Sequence, residues 1–412
     1  MKQYLLTAGA FFMFAFSGYL AAQNVKADRG VYIDNKSEFF EEIQKAAEEF
    51  NREPKEDNKA FKVDFSGYAL PKDLNEFTYG WHNEQVSQGI TGTCWAFAGT
   101  SFLESEIYRL NKQKIKLSEM YTVYYEYVEK ARYFVQQRGR SNFAQGSESN
   151  AVLRIWKKYG VVPLEVYSGK LPGQKVHDHN KMFQEMNAYL KHIRATSEWN
   201  ENLVVNTIRA ILDHYMGRPP YKFTINDMPY TPKEYLASAV KLNPDDYVNI
   251  ISVLKKPQHK QVEYVTDDNW WHNSDYYNVS LSEYMDAIKT LVRKGYTACI
   301  SGDVSEPGID SHSKAAIIPT FDIPSEYINE YAREFRMNNK STADDHVIHL
   351  VGYKNKTDDG KDWFLIKDSG AGSKNKEPKG YYFFREDYVK LKIVEFMAHK
   401  SAVKDLLEKF NR

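Results

Sequence analysis

The residues of this chain best suited to chemistry stand in Gln88-Gly-Ile-Thr-Gly-Thr-Cys94-Trp95-Ala-Phe97, where a glycine-punctuated loop runs into an apolar stretch headed by a cysteine. From Cys94 to about Leu110 the sequence carries Trp95, Phe97, Ala98, Phe102, Leu103 and Ile107, and its first acid is Glu104. That pattern predicts a centrally buried helix with the thiol in its first turn. Unpaired backbone N–H groups and a partial positive charge at a helix N-terminus favour thiolate over thiol, and thiolate is the reactive form. Gln88, reaching across Gly89 and Gly92, can bring its side-chain amide beside the sulfur. With the Cys94 N–H it would make a two-donor oxyanion hole. The competing reading is a buried structural cysteine.

A nucleophilic cysteine needs a base. His346-Val-Ile-His349-Leu-Val-Gly-Tyr353 reads as a strand whose two histidines point to opposite faces. A turn-rich loop, Asn355 to Lys361, returns the chain into Asp362-Trp-Phe-Leu-Ile-Lys-Asp368. A hairpin symmetric about Thr357 sets His346 opposite Asp368, and a slip of two residues still leaves them diagonal neighbours on one face. His346 then has a carboxylate to orient its ring, whereas His349 has none and reads as structural.

These segments resemble the active-site motifs of papain-like cysteine peptidases: Gln-x5-Cys-Trp-Ala-Phe at 88–97, Asp345-His346-x4-Val351-Gly352-Tyr353, and Ile366-Lys367-Asp368-Ser369-Gly370. The resemblance implies an α+β, papain-like two-lobe fold in which a helical lobe carries Cys94 and an antiparallel β lobe carries His346. It implies peptide hydrolysis through a Cys94 acyl-enzyme, with His346 as base and acid, Asp368 orienting the ring and Gln88 on the oxyanion. Neither a metal nor an organic cofactor is implied. Gln145-Gly146-Ser147-Glu148-Ser149-Asn150 falls where the family has a glycine-rich strip that pairs with substrate backbone. Gly146 and Ser147 are the candidates for that role, or else caps of the following helix. Two positions depart from the pattern: the family's asparagine is Asp368 and its tryptophan is Gly370. A carboxylate should favour imidazolium more than an amide does, and loss of the tryptophan should admit water.

Cys94 and His346 are 252 positions apart, against roughly 130–150 in papain-type enzymes, so an insertion of about a hundred residues is expected. Its segments Pro219-Pro220, Thr231-Pro232-Lys-Glu-Tyr235, Pro257-Gln258-His259-Lys260 and Gly302-Asp303-Val304 are similar to bleomycin hydrolase and bacterial aminopeptidase C. Those relatives imply a homohexamer and a C-terminal arm that restricts cleavage to amino termini. After the last expected strand only Ser401 to Arg412 follow, so the arm is expected to be missing. Aminopeptidase and endopeptidase action, and a weak peptide-binding homologue, therefore stay open.

The expected organisation is an export signal over 1–22, an N-terminal helix and linker over 23–60, the helical lobe over 61–169, a helix-rich insertion over 170–300, the β-rich lobe over 301–400 and a tail over 401–412. Lys2, an apolar stretch from Tyr4 to Phe16 and Ala21-Ala22 carry the signal reading. That makes membrane contact transient and the protein periplasmic or secreted. Helices are expected over Ser37–Asn51, Tyr121–Gln137 and Ala151–Tyr159, the last stopped by Gly160 and Pro163. The 412 residues carry 55 basic and 55 acidic side chains, which leaves no global field for nucleic acid. The partner implied is a peptide or protein substrate. Cys94 and Cys299 are the only cysteines, and pairing them would consume the nucleophile, so no disulfide is expected. His177-x-His179 reads as a solvated loop without a third metal ligand.

Overall fold

A computed structural model describes residues 37–51, 59–356 and 360–411. The expected signal over 1–22, most of the linker after Asn51 and the hairpin tip at Thr357 lie outside the described residues. The chain divides into two units, residues 1–59 and 60–412. Of the first, the described part is helix α1 (Glu38–Phe50), capped by the Ser37 side chain, with Phe39, Ile43 and Phe50 exposed.

The second unit is built on an 11-stranded sheet. Its central strands are β7 (Ala298–Gly302), β10 (His346–Lys354), β11 (Trp363–Lys367), β12 (Tyr381–Arg385) and β13 (Ile393–His399), in the order β13-β7-β10-β11-β12. The short β1 (Thr78–Tyr79) adds to β10. Alternation along the strands sends side chains to two different cores. Cys299, Val347 and Met397 join the helical lobe, whereas Ile300, Ile348 and Phe396 face the opposite core with Tyr284, Ile288 and Leu291 of α8 (Leu281–Arg293).

The helical lobe contains α2 (Cys94–Asn111), α3 (Glu119–Gln136) and α4 (Ala151–Tyr159), followed by α5 (Asn180–Thr196) and α6 (Glu201–Met216). Helix α2 is buried from Trp95 through Ile107, as its all-round apolar sequence requires. Gly99 lets it seat closely, since a Cβ there would stand 2.7 Å from Val152 of α4. Helix α4 ends at Gly160, whose φ of +78° terminates it as expected.

The segment 170–300 holds the long helices α5, α6 and α8, and between them the hairpin β2 (Phe223–Ile225) and β3 (Met228–Tyr230), the single turn α7 (Pro232–Glu234), and β4 (Tyr247–Ile251), β5 (Lys260–Val262) and β6 (Tyr276–Asn278), strands that were not read from sequence. Strand β4 pairs with β13 and so extends the main sheet. Apart from the five-residue β4 these strands have three residues each, too few for alternation to be read from sequence. The sheet's far edge is β8 (Ile309–Asp310) and β9 (Ala315–Ala316), and α9 (Glu330–Asn338) precedes β10. Helix α10 (Glu386–Lys392) links β12 to β13. The C-terminal residues form short turns around α11 (Lys404–Leu407), with Val403, Leu406 and Phe410 packed on the α8 side.

Strands β10 and β11 form the expected hairpin. His349 lies opposite Lys367, two residues from the symmetric register, and a bulge between Leu350 and Gly352 absorbs an extra residue. At the bulge, β1 crosses so close that a Cβ on Gly352 would overlap Tyr79 and stand 2.6 Å from the Thr78 carbonyl. Gly352→Ala should therefore destabilise the chain by about 1–3 kcal/mol, a typical overpacking cost, read as a lower denaturant midpoint.

Candidate active site

Cys94 is the first residue of α2, and Thr93 before it gives no side-chain cap; its hydroxyl bonds Thr91 Oγ1 at 2.6 Å instead. The Cys94 backbone N–H has no hydrogen-bond partner among the described residues. An uncapped N–H next to a half-exposed thiol is what an oxyanion-binding turn needs. The preceding loop is held tightly. Ile90 N–H donates to the His177 carbonyl at 2.8 Å, and Gly89, at φ +67°, comes so near His177 that a Cβ would overlap that carbonyl.

The His177-x-His179 reading is corrected here. Both side chains are buried, 6% and 3% exposed, and their segment straps the nucleophile's loop. Burial lowers both rings to about 4, so they are neutral packing groups at ordinary pH. The strap runs between residues far apart in sequence, which local spacing could not show.

His346 opens β10. Its Nε2 meets Asp368 Oδ1 at 2.7 Å, which leaves Nδ1 for the neighbouring Cys94 sulfur. Burial alone would lower the ring's affinity for a proton, but the Asp368 carboxylate and the Cys94 sulfur outweigh it and hold His346 well above the usual imidazole range. Burial likewise pushes Asp368 up, and the imidazole and the Gly370 N–H at 3.0 Å more than offset that, so its carboxyl titrates below the ordinary range. The arrangement favours an imidazolium held against the Asp368 anion. The other strand histidine, His349, points into the helical lobe, is fully buried, and bonds Ser101 of α2 at 2.9 Å.

Gln88 sits between the two halves. Its backbone N–H donates to Ser369 O at 3.1 Å, its Oε1 accepts from Ser369 Oγ at 2.7 Å, and its Nε2 donates to Thr91 O at 2.7 Å. One amide proton is left for a ligand. Ser369, adjacent to Asp368, is thus a positioning residue that sequence reasoning passed over. Gly370 leaves the His346–Asp368 pair beside an open cavity of about 210 Å³, whose lining includes Ile309, Ser311 and Tyr382.

Gly146 also adjoins the nucleophile's loop. Gln145 O accepts from Trp95 Nε1 at 3.1 Å, and Gln145 Oε1 accepts from Gly92 N–H at 2.9 Å. The Gly146 carbonyl is bonded by Lys130, and Ser147 turns inward to Glu126 at 2.8 Å. Behind this strip lie carboxylates that no spacing in the chain relates to one another. Glu148 and Glu395 are buried, Asp344 is half-buried beside them, and Asp268 lies against Gly146. Burial raises Asp344 to about 7 and Glu395 to about 8, against hydrogen bonds from Tyr264 and Ser301 and from Asn249, Ser149 and Ser301 respectively.

The Peptidase C1-like family profile matches residues 38–412. The chain belongs to that family. Aminopeptidase C of Lactococcus lactis subsp. cremoris is 22% identical over 359 residues, spanning 77% of this chain and 80% of that protein. Cysteine proteinase 1, mitochondrial, of Saccharomyces cerevisiae (strain YJM789) is 23% identical over 252 residues, 51% of this chain and 49% of the relative. Among solved structures, PepW from Lactobacillus rhamnosis HN001 shares the fold with a TM-score of 0.65 at 19% identity, covering 81% of this chain and 84% of that one. The chain is a cysteine peptidase with the expected α+β, papain-like fold and the expected likeness to aminopeptidase C.

Two outcomes follow from the charges. Removing the Asp368 anion lowers the proton affinity of His346, so Asp368→Asn should move the alkaline limb of the kcat/KM profile down by about one unit or more, read from a pH–rate series. Glu395, whose carboxyl titrates near 8 when folded, binds a proton more tightly folded than unfolded, so its contribution is full below its unfolded pKa and is lost as pH rises through 8. Stability should therefore fall between pH 5 and pH 8 (roughly the interval between the two titrations), and Glu395→Gln should flatten that fall in thermal melts.

Proposed function

We propose that this protein is an aminopeptidase that acts through a thioester. The observation that carries the mechanism is the chain of contacts from Asp368 through His346 to Cys94, next to the uncapped N–H of α2. The Cys94 thiolate attacks the amide carbonyl, and the oxyanion forms against the Cys94 N–H and the free proton of the Gln88 amide. His346 gives its proton to the leaving amine, then takes one from water as that water opens the thioester. Asp368 holds the ring in the tautomer that presents Nδ1 to the sulfur and stabilises its charged form. Every step uses groups of the chain itself.

Two things support amino-terminal cleavage. The relative matched over four-fifths of its length is named for that activity. The segment around Asp268 also covers the strip on which the acyl half of a substrate would lie. An endopeptidase would need that strip open.

The test is digestion of a mixed peptide library by the purified protein and by Cys94→Ala, with products identified by mass spectrometry. Release of amino-terminal residues by the first and none by the second is the expected result. Cuts at internal bonds of a denatured protein would make it an endopeptidase. Equal inertness of both proteins across pH and reductant would leave a peptide-binding homologue.

A further inference from the structure

The acyl end of the cleft carries an excess of carboxylate that the catalytic steps do not use. Because His346 must reach the leaving amine and the oxyanion lies toward Gln88 and the Cys94 N–H, the part of a substrate before the scissile bond runs past Gln145 and Gly146. Asp268 stands there. A Cβ on Gly146 would overlap its Oδ2 and come within 2.6 Å of its Oδ1, so the carboxylate lies directly over the main chain. It forms no hydrogen bond or ion pair among the described residues. Lys130, the nearest cation on that side, spends its ammonium on the carbonyls of Ala144 and Gly146.

Behind Asp268, Glu148 is 2% exposed, and its carboxylate forms no hydrogen bond or ion pair among the described residues. The titratable groups it faces are Asp344, Glu395, Asp268 and Cys94. A second kind of observation marks the same place. The hydroxyl of Tyr276, fully buried and facing Glu148 and Glu395, is unpaired among the described residues apart from the neighbouring Asn150 side chain. Buried acceptors and hydroxyls are rarely left unpaired, so groups of this kind call for a specific reason.

The loop that presents Asp268 is tied by hydrogen bonds to both lobes. Tyr264 Oη donates to Asp344 Oδ2 at 3.0 Å, Asn269 Nδ2 donates to the carbonyls of Tyr264 and Asn273, and Trp270 Nε1 donates to Glu126 of α3 at 2.7 Å. Arg154 of α4 lies over the rings of Trp270 and Trp271. A carboxylate fixed in this way is preorganised for a cation.

We propose that Asp268, backed by Glu148, is the specificity-determining group that receives the α-ammonium of a peptide substrate at the end of the cleft. The inference deepens the aminopeptidase reading and rests on it for the direction in which substrate lies. The ligand is an alkyl ammonium, and the position favours the backbone one: Asp268 lies over a main-chain strip and not at the bottom of a side-chain pocket. An upstream residue would collide with the carboxylate, while a terminal ammonium would pair with it. The same group thus rejects longer chains and rewards free ends.

The test compares hydrolysis of Leu-Ala-Ala-Ala-Tyr with its amino-terminally acetylated form and with acetyl-Lys-Ala-Ala-Ala-Tyr. Native protein should prefer the free amine. Asp268→Asn should lower the ratio of free to acetylated kcat/KM by about tenfold or more, the scale of one charge-assisted pairing. Glu148→Gln should lower that ratio as well. The same three peptides are bound to Cys94→Ala, with and without Asp268→Asn, so that recognition is read without turnover. A preference for the free amine that disappears with Asp268→Asn supports the inference even if hydrolysis is never seen. Equal handling of free and acetylated peptides by native protein, an equal loss on both in Asp268→Asn, or acetyl-lysine peptide matching the free amine would overturn it.

Discussion

The site depends on how one helix seats on one sheet. Cys94 belongs to α2 and His346 to β10, so the pair exists only where those two elements hold a fixed separation. The seam between them is polar as well as packed. Lys367 of β11 donates to Ser101 of α2 at 2.9 Å and to the Asn83 carbonyl at 2.6 Å, and Ser101 also meets His349 of β10. Further along α2, the buried Glu104 is bonded by Lys116 at 3.0 Å, by Asn83 at 2.8 Å and by the Leu117 N–H at 2.7 Å. Apolar surfaces tolerate sliding; a buried network with fixed partners does not, because a shift leaves polar groups unpaired.

That network explains the division of labour between two histidines three residues apart. His349 faces the helix and serves the seam, while His346 faces away and serves the sulfur. Burial, next to the positive Lys367, holds His349 neutral, and the Asp368 anion does the reverse for His346. Strand alternation supplies the separation, and neighbouring charge supplies the difference in chemistry.

Much of this was legible in the sequence because it is local. The apolar run after Cys94 reads as a buried helix, Gly160 stops α4 where expected, and the two-residue tolerance of the hairpin kept His346 with Asp368 even though the register shifted. What stayed hidden joins distant parts of the chain. Glu148, Asp268, Asp344 and Glu395 come from a loop after α3, an inserted loop, the lead into β10 and the last strand, and no periodicity relates them. His177 and His179 failed for the same reason: polar residues in an irregular stretch look solvated until the loop they strap is in place. Short strands β4 to β6 were missed because they gain stability from a sheet already formed by others.

The two cysteines have very different surroundings. Cys299 is fully buried in β7, and burial holds its thiol well above the ordinary range, whereas Cys94 is half-exposed at the head of α2. The folded chain therefore offers a single sulfur to a water-soluble alkylating reagent. One equivalent of label counts competent molecules in a preparation, and uptake of a second equivalent reports how many have lost their sheet.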